Sequence, residues 1–406
     1  MDILERFLKY VKIDTQSDPE GKGTPSTLKQ FDLARVIVND MKEIGIEDAY
    51  VDEHCYVYGH LPASSGHEND KALGFIAHMD TSPDFSGCNV NPKIIRDYDG
   101  KDVELGNGRV LSVSDFSDLS GLKGRTLITT DGKTLLGADD KAGIAVILDT
   151  VSKIINSNLP HGKICIAFTP DEEIGMGTAC FDLKAFGADF AYTLDGGAEG
   201  EIECENFNAA SAVFEINGFN VHPGSANNKM INASLVAAEI ISMLPSTDRP
   251  ECTEGREGFF HLCEMNGNVE KAVLKYIIRD HDEKIFEFRK SMLLHVESVI
   301  KQKYGSGSVS LTLKDQYKNM ACILKKEENL HLEKNARKAT EAVGLVPSVE
   351  PIRGGTDGAS LTFMGLPCPN LGTGGHAFHG PYEHITLEGM EKSVKILLEL
   401  IKIYAE

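Results

Sequence analysis

The sequence predicts an α/β fold, with a mostly parallel sheet flanked by helices and an inserted ferredoxin-like α+β lid domain. Three short apolar runs read as buried strands, and each ends at a histidine or an acidic residue. From about residue 209 the pattern changes to a strand and helix order typical of a self-contained antiparallel module. With 406 residues, the chain is longer than one hydrophobic core usually serves. We therefore expect two domains.

The first domain is predicted from a strand, helix, strand pattern. The strand runs cover residues 72–77, 163–168 and 190–194, and a helix over 142–155 follows the loop 137–141. Ligands of open α/β sheets bind beyond the carboxyl ends of the strands. The polar residues that follow these runs are thus expected to lie at a binding site.

The insertion is predicted from a β-α-β-β-α-β series. It consists of strands at 210–216, 259–265, 272–279 and 308–314 and helices at 232–244 and 283–303. After the insertion, polar residues of the kind that follow the first three strands occur again, at 353–357 and 376–383. We predict a catalytic domain of residues 1–208 plus 321–406, and a lid of residues 209–320.

Composition narrows the class of protein. The chain has 41 Lys and Arg against 61 Asp and Glu, a net charge of −20, which disfavours nucleic acid and anionic membranes as partners. The first residues suit an amphipathic helix and not a signal peptide, and no apolar run is long enough to span a membrane. The nine cysteines include no Cys-x-x-Cys pair, so reduced thiols and a cytoplasmic location are expected.

Five polar clusters sit at predicted strand ends or loops. They are His78-Met79-Asp80, Asp139-Asp140, Asp171-Glu172-Glu173, Asp195 and the histidine-containing run 376–383. Each has an ordinary structural reading on its own. An aspartate is a preferred helix cap, and an acidic turn is often only solvated.

Taken together, one ligand from each cluster gives His, Asp, Glu, Asp and His, a set of five without a thiolate. That donor set suits zinc, with manganese or cobalt as alternatives. A single catalytic zinc takes three protein ligands, so five ligands with one shared carboxylate predict two ions. Two such ions activate a water between them, and a neighbouring glutamate accepts its proton. The implied reaction is metal-assisted hydrolysis of an amide.

The motifs resemble those of the dinuclear zinc aminoacylase and carboxypeptidase family. His-x-Asp, Ala-Asp-Asp-Lys-Ala-Gly, Asp-Glu-Glu-x-Gly, Asp-Gly-Gly and His-Gly-x-x-Glu occur here in the family's order. The resemblance covers essentially the whole chain and implies the zinc-exopeptidase type of fold. Long stretches, among them HMDTSPDFSG and PIRGGTDGA, are similar to the tripeptide aminopeptidases of that family.

The resemblance implies a role for each residue of the centre. His78 and Asp195 would hold one zinc, Glu173 and His379 the other, and Asp139 would bridge them. Glu172 would be the general base and Asp80 would orient His78. It also implies that the Asp139–Asp140 peptide is cis. Of the two histidines in the last motif, only His379 precedes the Gly-x-x-Glu sequence, whereas His376 has no assigned role.

Three residues of the lid and its surroundings are also implied. His222 resembles the residue that polarises the scissile carbonyl, often from a partner subunit, although it suits a turn equally well. Arg279 and Arg353 resemble clamps for a substrate carboxylate, and either suits a structural ion pair too. The resemblance further implies a homodimer formed through the lid.

The expected activity is removal of the N-terminal residue from tripeptides, with the lid closing over a short peptide. The alternative within the family is a deacylase or carboxypeptidase that acts on acylated amino acids or peptides. A scaffold that retains only the fold would have lost a ligand or the base, and none is missing here. A two-metal phosphoesterase would need cationic groups that this acidic chain offers little of.

Overall fold

The computed structural model describes residues 1–406. The helices are α1 Ile3–Tyr10, α2 Gln30–Ile44, α3 Ala138–Ser157, α4 Leu183–Phe186, α5 Ala233–Met243, α6 Glu283–Tyr304, α7 Ala321–Leu324, α8 Leu330–Ala342, α9 Asp357–Met364 and α10 Leu387–Tyr404. None of them combines the length and apolar composition that crossing a bilayer requires.

The strands are short, and most belong to three sheets. They are β1 Tyr50–Val51, β2 Val57–Leu61, β3 Leu73–His78, β4 Lys93–Ile95, β5 Val103–Gly106, β6 Arg109–Leu111, β7 Leu127–Thr129, β8 Ile164–Thr169, β9 Phe190–Gly196, β10 Glu201–Glu203, β11 Asn208–Asn217, β12 Phe259–Gly267, β13 Lys271–Asp280, β14 Val309–Tyr317, β15 Ser348–Val349, β16 Asn370–Gly372, β17 Gly375–His376 and β18 His384–Thr386.

The chain divides into two compact units. The first comprises residues 1–204, 322–350 and 356–406. Its main sheet has eight strands in the order β1-β2-β8-β3-β9-β16-β10-β15. The four central strands, β8, β3, β9 and β16, run parallel, and the antiparallel pairings lie towards the edges. The predicted α/β class is confirmed, although the sheet is more mixed than the sequence suggests.

The central strands are buried on both faces. Every residue of β3 and β8 is buried, which is why these strands read as continuous apolar runs in the sequence. Helix α3 packs against β3 and β9, and α10 packs against α3 and α8. The central strands are thus enclosed, and their carboxyl ends have fixed positions.

A small antiparallel sheet in the same unit was not predicted. Its strand order is β17-β18-β7-β4, and each strand has only two or three residues. Strands this short carry no alternating pattern that a sequence could reveal. The sheet matters because the hairpin between β17 and β18 contains His379.

The second unit comprises residues 205–321 and 351–355. Its four antiparallel strands have the order β12-β13-β11-β14, with α5 and α6 packed on the sheet. Numbered within the unit, that order is 2-3-1-4, the arrangement of a ferredoxin-like module. The predicted ferredoxin-like insertion is confirmed. Compared with the predicted range 209–320, the observed unit also includes residues 205–208, 321 and 351–355.

Candidate metal centre

The centre is built at one edge of the main sheet. His78 ends β3, Asp195 lies near the end of β9, and the turn Glu172–Ile174 follows β8. These three strands are parallel neighbours in the order β8-β3-β9. Their carboxyl ends therefore meet, as expected for a ligand site in an open α/β sheet.

Asp139 lies between two imidazoles. One of its oxygens, Oδ1, is 2.8 Å from His78 Nε2, and the other, Oδ2, is 3.2 Å from His379 Nε2. A carboxylate that offers one oxygen to each of two histidines has the arrangement of a bridging ligand. Residues 78, 139 and 379 are far apart in the chain, so only the fold brings them together.

The remaining predicted ligands complete two sets around Asp139. Asp195 Oδ1 is 3.6 Å from His78 Nε2, on one side of the bridge. Glu173 Oε2 is 2.9 Å from His379 Nε2, on the other side. The structure therefore brings together all five residues that the sequence suggested as metal ligands.

The neighbouring Asp140 also lies close enough to His78 and Asp195 to join a cation site. Its oxygens, however, accept hydrogen bonds from the backbone N–H groups of His78 and Gly143, each at 3.1 Å. Asp140 thus holds the end of β3 and caps the regular part of α3. The carboxylate of Asp140 is therefore committed to backbone donors, whereas that of Asp139 faces the two imidazoles. The peptide between the two aspartates is cis, as the resemblance implied.

Asp80 connects His78 to the acidic turn. Its Oδ1 lies 3.4 Å from His78 Nδ1, the ring nitrogen that faces away from Asp139. Its two oxygens also accept the backbone N–H groups of Glu172 at 3.0 Å and Glu173 at 3.2 Å. His78 Nδ1 is hydrogen-bonded at 3.1 Å to the backbone carbonyl of Asp80, which orients the imidazole, while the fully buried carboxylate of Asp80 fixes the turn that carries two glutamates.

Asp171, the first acid of the same turn, has a structural role that the sequence did not reveal. Its carboxylate accepts hydrogen bonds from the backbone N–H and hydroxyl of Ser26 and from Gln30 Nε2. The turn is anchored from this side as well. Glu172 and Glu173 are left to face the centre.

The electrostatics of the centre show an excess of buried negative charge. Burial raises the pKa of Glu172, Glu173 and Asp195, that of Glu173 to about 8. Hydrogen bonds to Asp139 and Glu173 raise the pKa of His379 to about 11. Burial disfavours the charge on Asp139, but hydrogen bonds from His379 and His78 outweigh it and hold its pKa below the usual value.

Divalent cations fit this arrangement. The side chain of Glu173 is only 4% exposed, and its buried Oε1 atom has no hydrogen-bond partner. A buried carboxylate oxygen is costly unless it is paired or coordinates a metal. Imidazole and carboxylate donors are those that zinc, manganese and cobalt accept.

His376 has its contacts elsewhere. Its ring stacks on His384 at a centroid distance of 5.3 Å, and its Nδ1 lies 3.6 Å from Asp118. These contacts involve none of the five ligands. His379 is therefore the histidine of this hairpin that belongs to the centre.

The three predicted substrate-binding residues belong to the second unit. His222 is exposed, and its Nδ1 accepts the backbone N–H of Gly224 at 3.1 Å. Arg279 lies over the ring of Tyr317 and donates through Nη1 to Ile278 O and Gln316 Oε1.

Both Nη groups of Arg353 make hydrogen bonds. Its Nη1 donates to the carbonyls of Gly255 and Glu257, and its Nη2 donates to the carbonyl and hydroxyl of Thr253. These bonds use all four Nη hydrogens to hold the 253–257 loop.

Comparison with known proteins identifies the family of this chain. Residues 129–403 match the family described as peptidase family M20/M25/M40. The chain belongs to this peptidase family. His78 and Asp80 precede the matched range, but a curated relative named Peptidase T, from Clostridium perfringens strain 13, covers them. It is 55% identical over 403 residues, 99% of this chain and 98% of the relative. This chain is a metallopeptidase of the family, with a candidate metal site at the sheet edge.

Solved structures share the fold over the full chain. Aminopeptidase PepT from Bacillus cereus is 22% identical, with a TM-score of 0.78, and the match covers 100% of this chain and 98% of that one. A tripeptidase from Staphylococcus aureus is 23% identical, with a TM-score of 0.79, and the match covers 99% and 98%. At these identities the likeness establishes a shared fold.

The raised pKa values predict that metal binding releases protons. Without metal, His379 and Glu173 hold protons at pH 7, because their pKa values are about 11 and about 8. Metal ligands must be deprotonated, so the apparent metal affinity should rise with pH, about tenfold per pH unit for each proton released. Calorimetric titration of chelator-treated protein at pH 7, in buffers of different ionisation enthalpy, measures the number of protons. A result of zero would contradict the predicted protonation.

Proposed function

We propose that this metallopeptidase is an aminopeptidase that releases the N-terminal residue of tripeptides. Two lines of support converge. The curated relative is named Peptidase T, and structures with the same fold are titled aminopeptidase PepT and tripeptidase. The observation that carries the proposal is Asp139, which lies between His78 and His379 with carboxylates on both sides.

We propose the ligand sets from this geometry. One cation would be held by His78 and Asp195, the other by Glu173 and His379, with Asp139 shared between them. Zinc suits these donors, and manganese or cobalt are substitutes that they also accept. Bound divalent cations supply Lewis-acid chemistry, polarising a carbonyl oxygen and making water a better nucleophile at neutral pH.

Glu172 is the proposed general base. Its backbone is held by Asp80, and burial raises its pKa above the usual value, with the charge of Asp195 adding to the effect. A raised pKa makes the carboxylate a stronger base towards the attacking water, and a pKa near the working pH lets the same group return the proton to the leaving amine. Asp80, hydrogen-bonded to both glutamate backbones, keeps this side chain in place.

His222 suits the role of a donor to the scissile carbonyl. Because its Nδ1 accepts a backbone N–H, the ring proton of the neutral form resides on Nε2. The exposed Nε2–H is then available to donate to a carbonyl oxygen. We propose that it does so in a homodimer formed through the second unit. The mass of the protein in solution, from sedimentation, tests the dimer.

Arg279 is the better placed of the two arginines to bind a substrate carboxylate. Its Nε and Nη2 make no hydrogen bond in the structure, whereas Arg353 has committed all its Nη hydrogens to the 253–257 loop. Adjacent free N–H groups of a guanidinium match the two oxygens of a carboxylate. Arg353 can bind both oxygens of a carboxylate only by exchanging bonds to the loop. We also propose a cytoplasmic location, which the nine unpaired cysteines support.

The substrate preference is tested with a panel of peptides. We expect cleavage of a free tripeptide, much slower cleavage of the matching dipeptide and tetrapeptide, and none of the N-acetylated tripeptide. A chelator should abolish cleavage, and added zinc, manganese or cobalt should restore it. Release of the N-terminal residue is measured by chromatography. Preference for the acetylated peptide would favour a deacylase, and cleavage that survives the chelator would overturn the metal-dependent mechanism.

The role of Glu172 is tested by Glu172→Gln. The variant should keep its metal content and lose about 10²–10⁴-fold in kcat, because the amide cannot accept the proton. Metal analysis and steady-state kinetics measure both quantities. Glu328→Gln, in the exposed turn Glu327–Asn329, is the matched control and should behave as the parent protein. Loss of metal from Glu172→Gln would mean that Glu172, and not Glu173, is the ligand.

The role of Arg279 is tested by Arg279→Ala. We expect kcat/KM for a free tripeptide to fall about 10–100-fold, mainly through KM, since a charged hydrogen bond is worth about 1.5–3 kcal/mol. A tripeptide with an amidated C-terminus should be affected little. Arg35→Ala is the control, because Arg35 is exposed and, like Arg279, lies over an aromatic ring, that of Phe31. An equal loss for both substrates would exclude a carboxylate clamp.

A further inference from the structure

Glu383 lies on the same short hairpin as His379 and is almost completely buried, with 1% exposure. The hairpin is closed at its base by the pairing of β17 with β18, where His376 faces His384. His379 is at the tip of this hairpin, and Glu383 directly precedes β18. The two side chains therefore belong to one small structural element.

The carboxylate of Glu383 accepts three backbone hydrogen bonds from the loop that carries Asp139. Its Oε2 accepts the N–H groups of Leu136 at 2.6 Å and Gly137 at 2.9 Å, and its Oε1 accepts the N–H of Asp139 at 3.0 Å. These donors lie more than 240 residues earlier in the chain. A single side chain thus connects the His379 hairpin to the Asp139 loop.

The two connected elements bear side chains that meet at the centre, where His379 Nε2 is 3.2 Å from Asp139 Oδ2. His379 is 44% exposed and lies in a loop, so its position depends on what holds the hairpin. His78, by contrast, ends a buried strand of the main sheet. Fixing the hairpin against the loop therefore matters most on the His379 side.

We infer that Glu383 is a positioning residue that sets the separation of Asp139 and His379. It thereby controls the affinity of the centre for the cation held by Glu173 and His379. This inference rests on the ligand sets proposed above. It extends them, because Glu383 itself contacts no proposed ligand side chain and acts through the backbone of the 136–139 loop.

The chemistry of the clamp explains why a carboxylate is needed. Three N–H donors converge on two oxygens, and only an ionised carboxyl group offers acceptors on both sides without a donor. In Glu383→Gln, an NH₂ group would replace one oxygen and face at least one backbone N–H. Two donors that face each other leave a buried N–H unsatisfied, so the loop and hairpin should move apart.

The test is a cobalt titration of the metal-free, full-length protein. The parent protein should bind two equivalents, each with its own visible absorption change. In Glu383→Gln the first equivalent should bind with parental affinity and spectrum, while the second should bind about 10–100-fold more weakly with an altered spectrum. Calorimetry gives the two affinities independently of any peptidase assay.

A matched control separates positioning from general damage. Glu199 is also a buried glutamate, 8% exposed, but its carboxylate pairs with Arg125 and Lys392. Glu199→Gln should keep both cobalt affinities. Glu383→Asp keeps the charge but is shorter, so it should show the same selective loss to a smaller degree. This variant decides the question if Glu383→Gln does not fold, which thermal unfolding of the metal-free proteins will show.

The outcomes test the proposed ligand sets separately from the positioning role of Glu383. If the parent protein binds fewer than two cobalt ions, the proposed ligand sets fail. If the parent binds two and the folded Glu383 variants bind both as the parent does, or lose both equally, the positioning role of Glu383 is wrong while the ligand sets stand. Selective loss of the second ion in the Glu383 variants, without loss in Glu199→Gln, supports the inference.

Discussion

The burial of several carboxylates at one edge of the sheet is the constraint on which this structure depends. Charged groups are costly to bury unless they are paired, hydrogen-bonded or bound to a metal. The acids near the centre form two groups, which differ in what stabilises their buried charge. Asp80, Asp140, Asp171 and Glu383 accept backbone N–H groups. Asp139, Glu173 and Asp195 face the imidazoles instead, and it is these that a cation would neutralise.

This division explains why acids occur in runs. In the pair at 139 and 140, the first faces the centre and the second caps α3. In the run of three after β8, Asp171 anchors the turn while Glu172 and Glu173 are left for chemistry. In each run, one acid therefore fixes the backbone of the acids beside it. In these two runs, the functional carboxylates have a neighbouring acid whose hydrogen bonds fix the local backbone.

The sequence predicted the parts of the centre that lie on regular elements. Apolar runs that end at His78 and Asp195 are buried parallel strands, and the order of elements after residue 209 is that of the observed ferredoxin-like unit. The roles of Asp171 and Glu383 were not predictable in this way. Their partners are backbone N–H groups of distant segments, and a backbone donor has no residue type that a sequence pattern could show.

The same reason applies to the arginines. Sequence motifs identified Arg279 and Arg353 as residues suited to bind a carboxylate, but not which N–H groups are already committed. Arg353 donates to carbonyls of the 253–257 loop, and Arg279 donates to Gln316. A sequence pattern shows neither set of acceptors. Only the folded unit shows that Arg279 has two adjacent N–H groups to spare, whereas the Nη groups of Arg353 are all committed.

The two halves of the centre are supported by different kinds of structure. His78 and Asp195 lie on strands in the middle of an eight-stranded sheet, and their positions follow from packing on both faces. Glu173 and His379 lie in a turn and a hairpin, whose positions follow from hydrogen bonds to Asp80 and Glu383. Packing is shared among many residues, whereas the turn depends on the carboxylates of Asp80 and Asp171 and the hairpin on that of Glu383. We therefore expect the loop-borne half to be the one that a substitution away from the ligands affects most.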